Sequence, residues 1–172
     1  MEENTCELEN TKEVSFDITM DETILYDYLV HHAYSGASGI LGTCFGVLGI
    51  MMFINSQYQN PFYLILGVLL IFYLPVNMKF QAKKMMVLSE AFKSPLHYKI
   101  DVNGITVSQG EAEESVSWDK CIKAVSTKQS ILVYTGKKNA TIFPRKQLGE
   151  KLPAMIATLA ENMPPERIKI RF

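Results

Sequence analysis

Residues 36–77 contain no Asp, Glu, Lys or Arg. Two apolar runs fill most of that interval. GASGILGTCFGVLGIMMFI covers residues 36–54 and PFYLILGVLLIFYLPV covers 61–76, with Asn77 and Met78 extending the second before Lys79. At about 1.5 Å of rise per helical residue, each run can cross a hydrocarbon layer about 30 Å thick. Only NSQYQN separates them, so the pattern predicts two antiparallel helices, a transmembrane hairpin spanning about 36–54 and 61–78. Pro61 suits a first helical turn, and Pro75 is placed to loosen the last one. Tyr58, Phe62 and Tyr63 at one end, with Phe72 and Tyr73 near the other, have the distribution of interfacial aromatic belts.

Small residues recur through the first run at Ser35, Gly39, Gly42, Gly46 and Gly49, spaced four, three, four and three. On a helix this spacing makes one continuous face. Within lipid, helices associate through close backbone contact, which small residues permit. The predicted packing residues are Gly39, Gly42, Gly46 and Gly49, with Gly67 on the second helix as the nearest partner. A second copy of the chain is the alternative partner. The preceding segment DETILYDYLVHHAY has helical spacing at Ile24, Leu25, Tyr28 and Leu29 and is read as part of the same first helix, capped by Asp21. After the second run, KFQAKKMMVLSEAFKS reads as that helix continuing into water until Pro95.

Outside this hairpin the apolar period is two. EVSFDITM (13–20) alternates cleanly, and so do LHYKIDV, GITVSQ, ESVSW, CIKAVST, SILVYTG and NATIFPR further on. Asn103-Gly104 is a hairpin turn signal, and residues 111–114 read as a charged turn. RKQLGEKLPAMIATLAENM returns to helical period, with Leu148, Leu152, Ile156 and Leu159 as its apolar stripe. ERIKIRF is a candidate edge strand. Because a hairpin returns the chain to the side it left, EVSFDITM can pair with the later strands. The predicted architecture is α+β: a membrane hairpin inserted after the first strand of a roughly seven-stranded antiparallel sheet closed by a C-terminal helix. The divisions are an acidic leader (1–12), the first strand (13–20), the long helical hairpin (21–93) and a second sheet-and-helix portion (95–172).

Charge sets the orientation. The net charge is −1, which removes any global argument for nucleic-acid binding. Residues 1–35 hold nine acidic side chains and only Lys12, whereas residues 95–172 hold twelve basic and eight acidic ones. The short loop has no cation, while Lys79, Lys83, Lys84 and Lys93 follow the second run. The positive-inside rule then places that side, and with it both termini, in the cytoplasm. The opening MEENTCELEN is acidic where a cleavable signal is basic. Cys6, Cys44 and Cys121 are scattered and form no zinc spacing, as expected of free thiols.

No motif for nucleophilic, zinc or phosphate chemistry is present, so the expectation is a non-enzymatic protein without a cofactor. His31 and His32 are adjacent, about 100° apart on a helix, and poorly placed to share an ion. Trp118 reads as core. Lys79, Lys83 and Lys84, with Lys137, Lys138, Arg145 and Lys146, are candidate contacts to lipid headgroups or a partner.

The progression through DVNGITVSQGEAEESVSWDKCIKAVSTKQSILVYTGKKNATIFPRKQL resembles the bacterial YcxB-like membrane proteins. The matching features are the S-x-x-W at 115–118, the strand at 123–125, the I-x-x-Y at 131–134 and the I-x-P-R at 142–145. The resemblance implies two transmembrane helices and a pleckstrin-homology-like domain, and brings no established activity. Together these readings make the chain a multi-pass protein of the bacterial inner membrane. Its cytoplasmic domain would bind a protein or lipid headgroup. The alternative is an immunity protein that neutralises a toxin at the membrane.

Overall fold

The computed structural model describes residues 13–136 and 139–170. The leader (1–12), with Cys6 and Lys12, and the candidate contacts Lys137 and Lys138 lie outside the described residues.

The first strand, β1 (Val14–Ile18), places Val14, Phe16 and Ile18 on its buried face. Three helices follow: α1 (Glu22–Tyr34), α2 (Ala37–Asn55) and α3 (Pro61–Leu88). The chain then returns as β2 (Leu96–Ile100), which pairs antiparallel with β1 from Val14 opposite Ile100 to Ile18 opposite Leu96. The helices are therefore an insertion between two neighbouring strands. β3 (Gly104–Gln109) and β4 (Ala112–Ser117) complete a first sheet of order β1-β2-β3-β4. Asp101 makes the β2–β3 turn, its Oδ1 accepting from the amides of Asn103 (2.7 Å) and Gly104 (3.2 Å).

A second sheet has the order β7-β6-β5-β8, from β5 (Lys123–Ser126), β6 (Ser130–Tyr134), β7 (Ala140–Pro144) and β8 (Ile168–Lys169). The short helix α4 (Arg145–Leu148) and the longer α5 (Leu152–Asn162) lie between β7 and β8. β6 is buried along its whole length. Phe143 of β7 joins the two sheets, its ring edge-on to Phe16 (5.8 Å) and Tyr98 (5.3 Å). Such pairs add to the area they bury. Gln147 clamps the end of β1, donating to Thr19 O (2.7 Å) and accepting from Thr19 N (2.8 Å).

Four expectations are corrected. The strands form two four-stranded sheets rather than one seven-stranded antiparallel sheet, and β8 pairs parallel with β5. Arg167 supports that pairing through Nη1 donating to Cys121 O. The helical stretch after Pro144 is split at Gly149, whose φ of +51° suits glycine and closes α4 before Pro153 starts α5. Glu113 and Glu114 belong to β4, because the turn is confined to the positive-φ Gly110 and Glu111.

The fourth correction concerns the first helix. α1 and α2 are two helices bent by 76°. The amide of Ser35 closes α1 on His31 O (2.9 Å), and Gly36 is extended. The bend presses Gly39 so close to α1 that a Cβ there would lie 2.5 Å from Ala33 O. Only glycine fits this approach, and the stripe thereby loses its first glycine to a different contact. α3 runs unbroken through Pro75 to Leu88, about 42 Å.

Candidate functional site

Glycines set the contact between α2 and α3. A Cβ on Gly46 would lie 2.9 Å from Gly67 O, one on Gly49 3.0 Å from Gly67 Cα, and one on Gly67 2.6 Å from Gly46 O. These three positions make the helix crossing. Gly42 stands apart, facing only the flexible end of Leu74 at 3.4 Å, and Gly39 packs against α1. Pairing Gly42 with Leu74 and Gly49 with Tyr63 makes the two helices antiparallel.

With small residues turned inward, the large ones face out. Phe45 is 59% exposed, Met51 59%, Ile65 63% and Phe72 60%. Among the described residues, α3 alone is long and apolar enough to cross a membrane by itself. Glu22–Tyr34 with Gly39–Asn55 reaches that length only if the bent pair counts as one span.

The α+β portion meets these helices through α1. Asp21 caps α1, its Oδ1 accepting from Ile24 N at 2.8 Å. Ile24, Leu25 and Tyr28 are buried against the sheets, and Ala82 of α3 is fully buried in the same core. His32 stacks between Tyr28 (6.0 Å) and Tyr134 (6.4 Å). On the face of α1 beside the β5–β6 turn lies a cleft of about 900 Å³, lined among others by Asp27, His31, Ser35, Thr127, Lys128 and Arg145. A smaller annex of about 420 Å³ shares His31, Ser35 and Ser126 and adds Lys123 and Lys169.

The groups in this cleft are ordered. Thr127 donates to Asp27 Oδ2, and its Oγ1 accepts from Ser130 N at 2.9 Å, so the β5–β6 turn is tied to α1. Lys123 Nζ lies 4.6 Å from the centre of the Tyr134 ring, a cation–π distance. Burial pushes the Tyr134 hydroxyl up to about 12, with Tyr28 adding to the shift, so it stays a neutral donor. Burial lowers the His31 pKa below the ordinary imidazole value. Lys123 and His32 add to this and Asp27 opposes it.

Among the described residues, the sequence-derived cations do not converge. Lys79, Lys83 and Lys84 are exposed along α3, and Lys84 borders a separate groove with Phe80, Met85 and Leu88. Arg145 lines the α1 cleft, while Lys146 borders a smaller hollow beside Asp21 and Gln147. Lys123, Lys128 and Lys169 were missed as site residues. They meet because β1–β2 pairing brings α1 onto the second sheet and β8 adds beside β5, neither of which any local motif announces.

Trp118 is buried in a 3₁₀ turn, with Nε1 donating to Asp101 O at 3.0 Å. Cys121 is a buried free thiol whose pKa burial raises, and Cys44 is free and exposed. Among the described residues no group of three His, Cys, Asp or Glu side chains is arranged to hold a metal ion.

Residues 100–159 match the family model described as YcxB-like protein. That stretch runs from the end of β2 to α5. No curated protein and no solved structure matches the chain.

Proposed function

We propose that this is a membrane-anchored binding module of the bacterial inner membrane, non-catalytic, with both termini in the cytoplasm. α2 and α3 act as a transmembrane hairpin, and the two-sheet domain, read as pleckstrin-homology-like, is held at the cytoplasmic surface to bind a ligand there. One observation carries the reading. Along α2 and α3 the large apolar side chains point outward while Gly46, Gly49 and Gly67 fill the contact between the helices. A water-soluble helical pair has the reverse arrangement, since apolar side chains gain by leaving water and lipid removes that need. The match of residues 100–159 to the YcxB-like family model supports the reading for the stretch from β3 to α5.

The anchor also explains the rest of the architecture. α1 makes a bent strut between the membrane helices and the second sheet, and its apolar face is shared with α3 through Ala82. The domain is thereby fixed relative to the bilayer. Lys79, Lys83 and Lys84 follow the uncharged interval on α3, where cations meet anionic headgroups.

Cysteine labelling tests this topology. Single cysteines at Gln57 and Glu113 are introduced after Cys6, Cys44 and Cys121 are replaced by alanine. In intact cells a membrane-impermeant maleimide labels Gln57→Cys, and Glu113→Cys reacts only after permeabilisation. Extraction by alkaline carbonate leaves both in the membrane pellet. The reverse labelling pattern, or release into the carbonate supernatant, overturns the proposal.

A further inference from the structure

We propose that the cleft between the last turns of α1 and the β5–β6 end of the second sheet binds the phosphorylated headgroup of an anionic lipid. A headgroup bearing two phosphates is preferred over one bearing a single phosphate. The inference rests on the membrane-anchored reading and names the ligand class of the anchored domain.

Charge is the first argument. Among the described residues, the cleft and its annex gather four cations, Lys123, Lys128, Arg145 and Lys169, against the single carboxylate of Asp27. That carboxylate already accepts a hydrogen bond from Thr127. The surplus is concentrated in one concavity of a chain whose net charge is only −1. The hydroxyl groups of Tyr34 and Ser35 supply donors of the kind that hold phosphate oxygens beside lysine and arginine.

Shape is the second. The cations divide into two groups, Lys128 and Arg145 in the main cleft and Lys123 with Lys169 in the annex, joined through His31, Ser35 and Ser126. Two cationic lobes sharing one floor match two phosphates carried on one headgroup. Val30 and Tyr34 give the main cleft apolar surface for the glycerol and the start of the acyl chains.

Location is the third. Ser35 lines both lobes, and Gly36 immediately after it begins the uncharged interval and turns the chain by 76° into α2. The mouth of the cleft is therefore level with the start of the membrane helix, where headgroups lie. A soluble anion gains nothing from that position, whereas a lipid reaches it without leaving the bilayer.

Native mass spectrometry of the full chain in a neutral detergent provides the test. Cardiolipin, phosphatidylglycerol and phosphatidylcholine are offered together, and Lys123→Gln/Lys169→Gln is compared with Lys99→Gln/Lys120→Gln, two lysines outside the cleft and its annex. The expected order of retention is cardiolipin, phosphatidylglycerol, phosphatidylcholine. Each cleft lysine removed weakens cardiolipin binding roughly fivefold, and the pair about twenty-five-fold. The Lys99/Lys120 pair leaves cardiolipin binding within about twofold of the unsubstituted chain. Equal weakening by both pairs, or no preference among the three lipids, overturns the inference. A further arm adds inorganic phosphate at millimolar concentration. Complete displacement of cardiolipin by it shows a site for free phosphate and rejects the lipid. Circular dichroism establishes that the cleft variant is folded, and the cysteine labelling above is repeated in it. Correct labelling with unchanged lipid binding defeats this inference alone and leaves the anchored reading standing.

Discussion

Gly67 sits against the main chain of Gly46, so close that a Cβ on Gly67 would lie 2.6 Å from the Gly46 carbonyl oxygen. The obstacle is backbone, which cannot swing aside as a side-chain tip can. Gly67→Ala therefore separates α2 from α3 and costs about 1–3 kcal/mol. Gly46→Ala meets Ile71 Cγ1 at 2.5 Å as well as Gly67 O and falls in the same range. Gly42→Ala meets only Leu74 Cδ1 at 3.4 Å and stays within about 0.5 kcal/mol of the parent. Thermal unfolding of the full chain in detergent, followed by circular dichroism, ranks the three. An equal response at Gly42 and Gly67 contradicts the crossing.

That ranking marks what the sequence could and could not provide. The spacing of small residues identifies a helix face, but not which member sits at the crossing. The crossing point depends on the bend at Gly36, and that bend depends on Gly39 lying against Ala33. The strands were legible because alternation records burial directly: Val14, Phe16 and Ile18 are buried in β1, and Leu96, Tyr98 and Ile100 in β2. Their pairing followed from the chain returning to its starting side. Division into two sheets was not legible, since β4 and β5 are separated only by the 3₁₀ turn at Trp118 and each looks like an ordinary meander strand. The cleft was hidden for a similar reason. Lys123 and Lys169 are far apart in sequence and meet only through the parallel β5–β8 pair, which two residues of β8 form.

His31 gives the domain a pH dependence of known sign. Its folded-state pKa is lowered, first by burial and then by Lys123 and His32, with Asp27 opposing. Lys169 shares the annex with it. The folded state thus favours the neutral ring, whereas the unfolded chain takes up the proton below about pH 6.5. The stability associated with His31 is fully present above that value and is lost as pH falls through the lower, folded-state pKa. Melting temperature is expected to drop between about pH 7.5 and about pH 5.5. Replacing the ring by His31→Gln makes the drop smaller. A parallel decline in parent and variant removes His31 as its source.

Trp118 is expected to be structural in two separable ways. Its ring is buried, and its Nε1 donates to Asp101 O at 3.0 Å, linking the end of β4 to the β2–β3 turn. Trp118→Phe keeps most of the apolar volume and loses that bond, for about 1 kcal/mol. Trp118→Ala adds a cavity, for about 3–5 kcal/mol. Denaturant unfolding monitored by far-ultraviolet circular dichroism separates the two. Equal losses mean that the hydrogen bond, rather than packing, holds the turn.

The entry to α1 is the remaining point of leverage, because the chain passes there from the sheet into the strut. Asp21 Oδ1 accepts from Ile24 N at 2.8 Å, and Gln147 holds Thr19 just before it through two bonds. The cap satisfies one of the amides that a helix start leaves open, and its negative charge favours the N-terminal end of the helix dipole. Asp21→Ala is expected to cost about 1 kcal/mol, while Asp21→Asn, which keeps the accepting oxygen, costs only a few tenths, roughly. Hydrogen exchange locates the effect. With Asp21→Ala, protection is lost first at the amides of Ile24 and Leu25, which bond to Asp21, while β6 amides keep theirs until global unfolding. Loss at β6 in step with α1 would mean that strut and sheet open as one unit, and the cap would then govern the stability of the whole domain rather than the local attachment of α1.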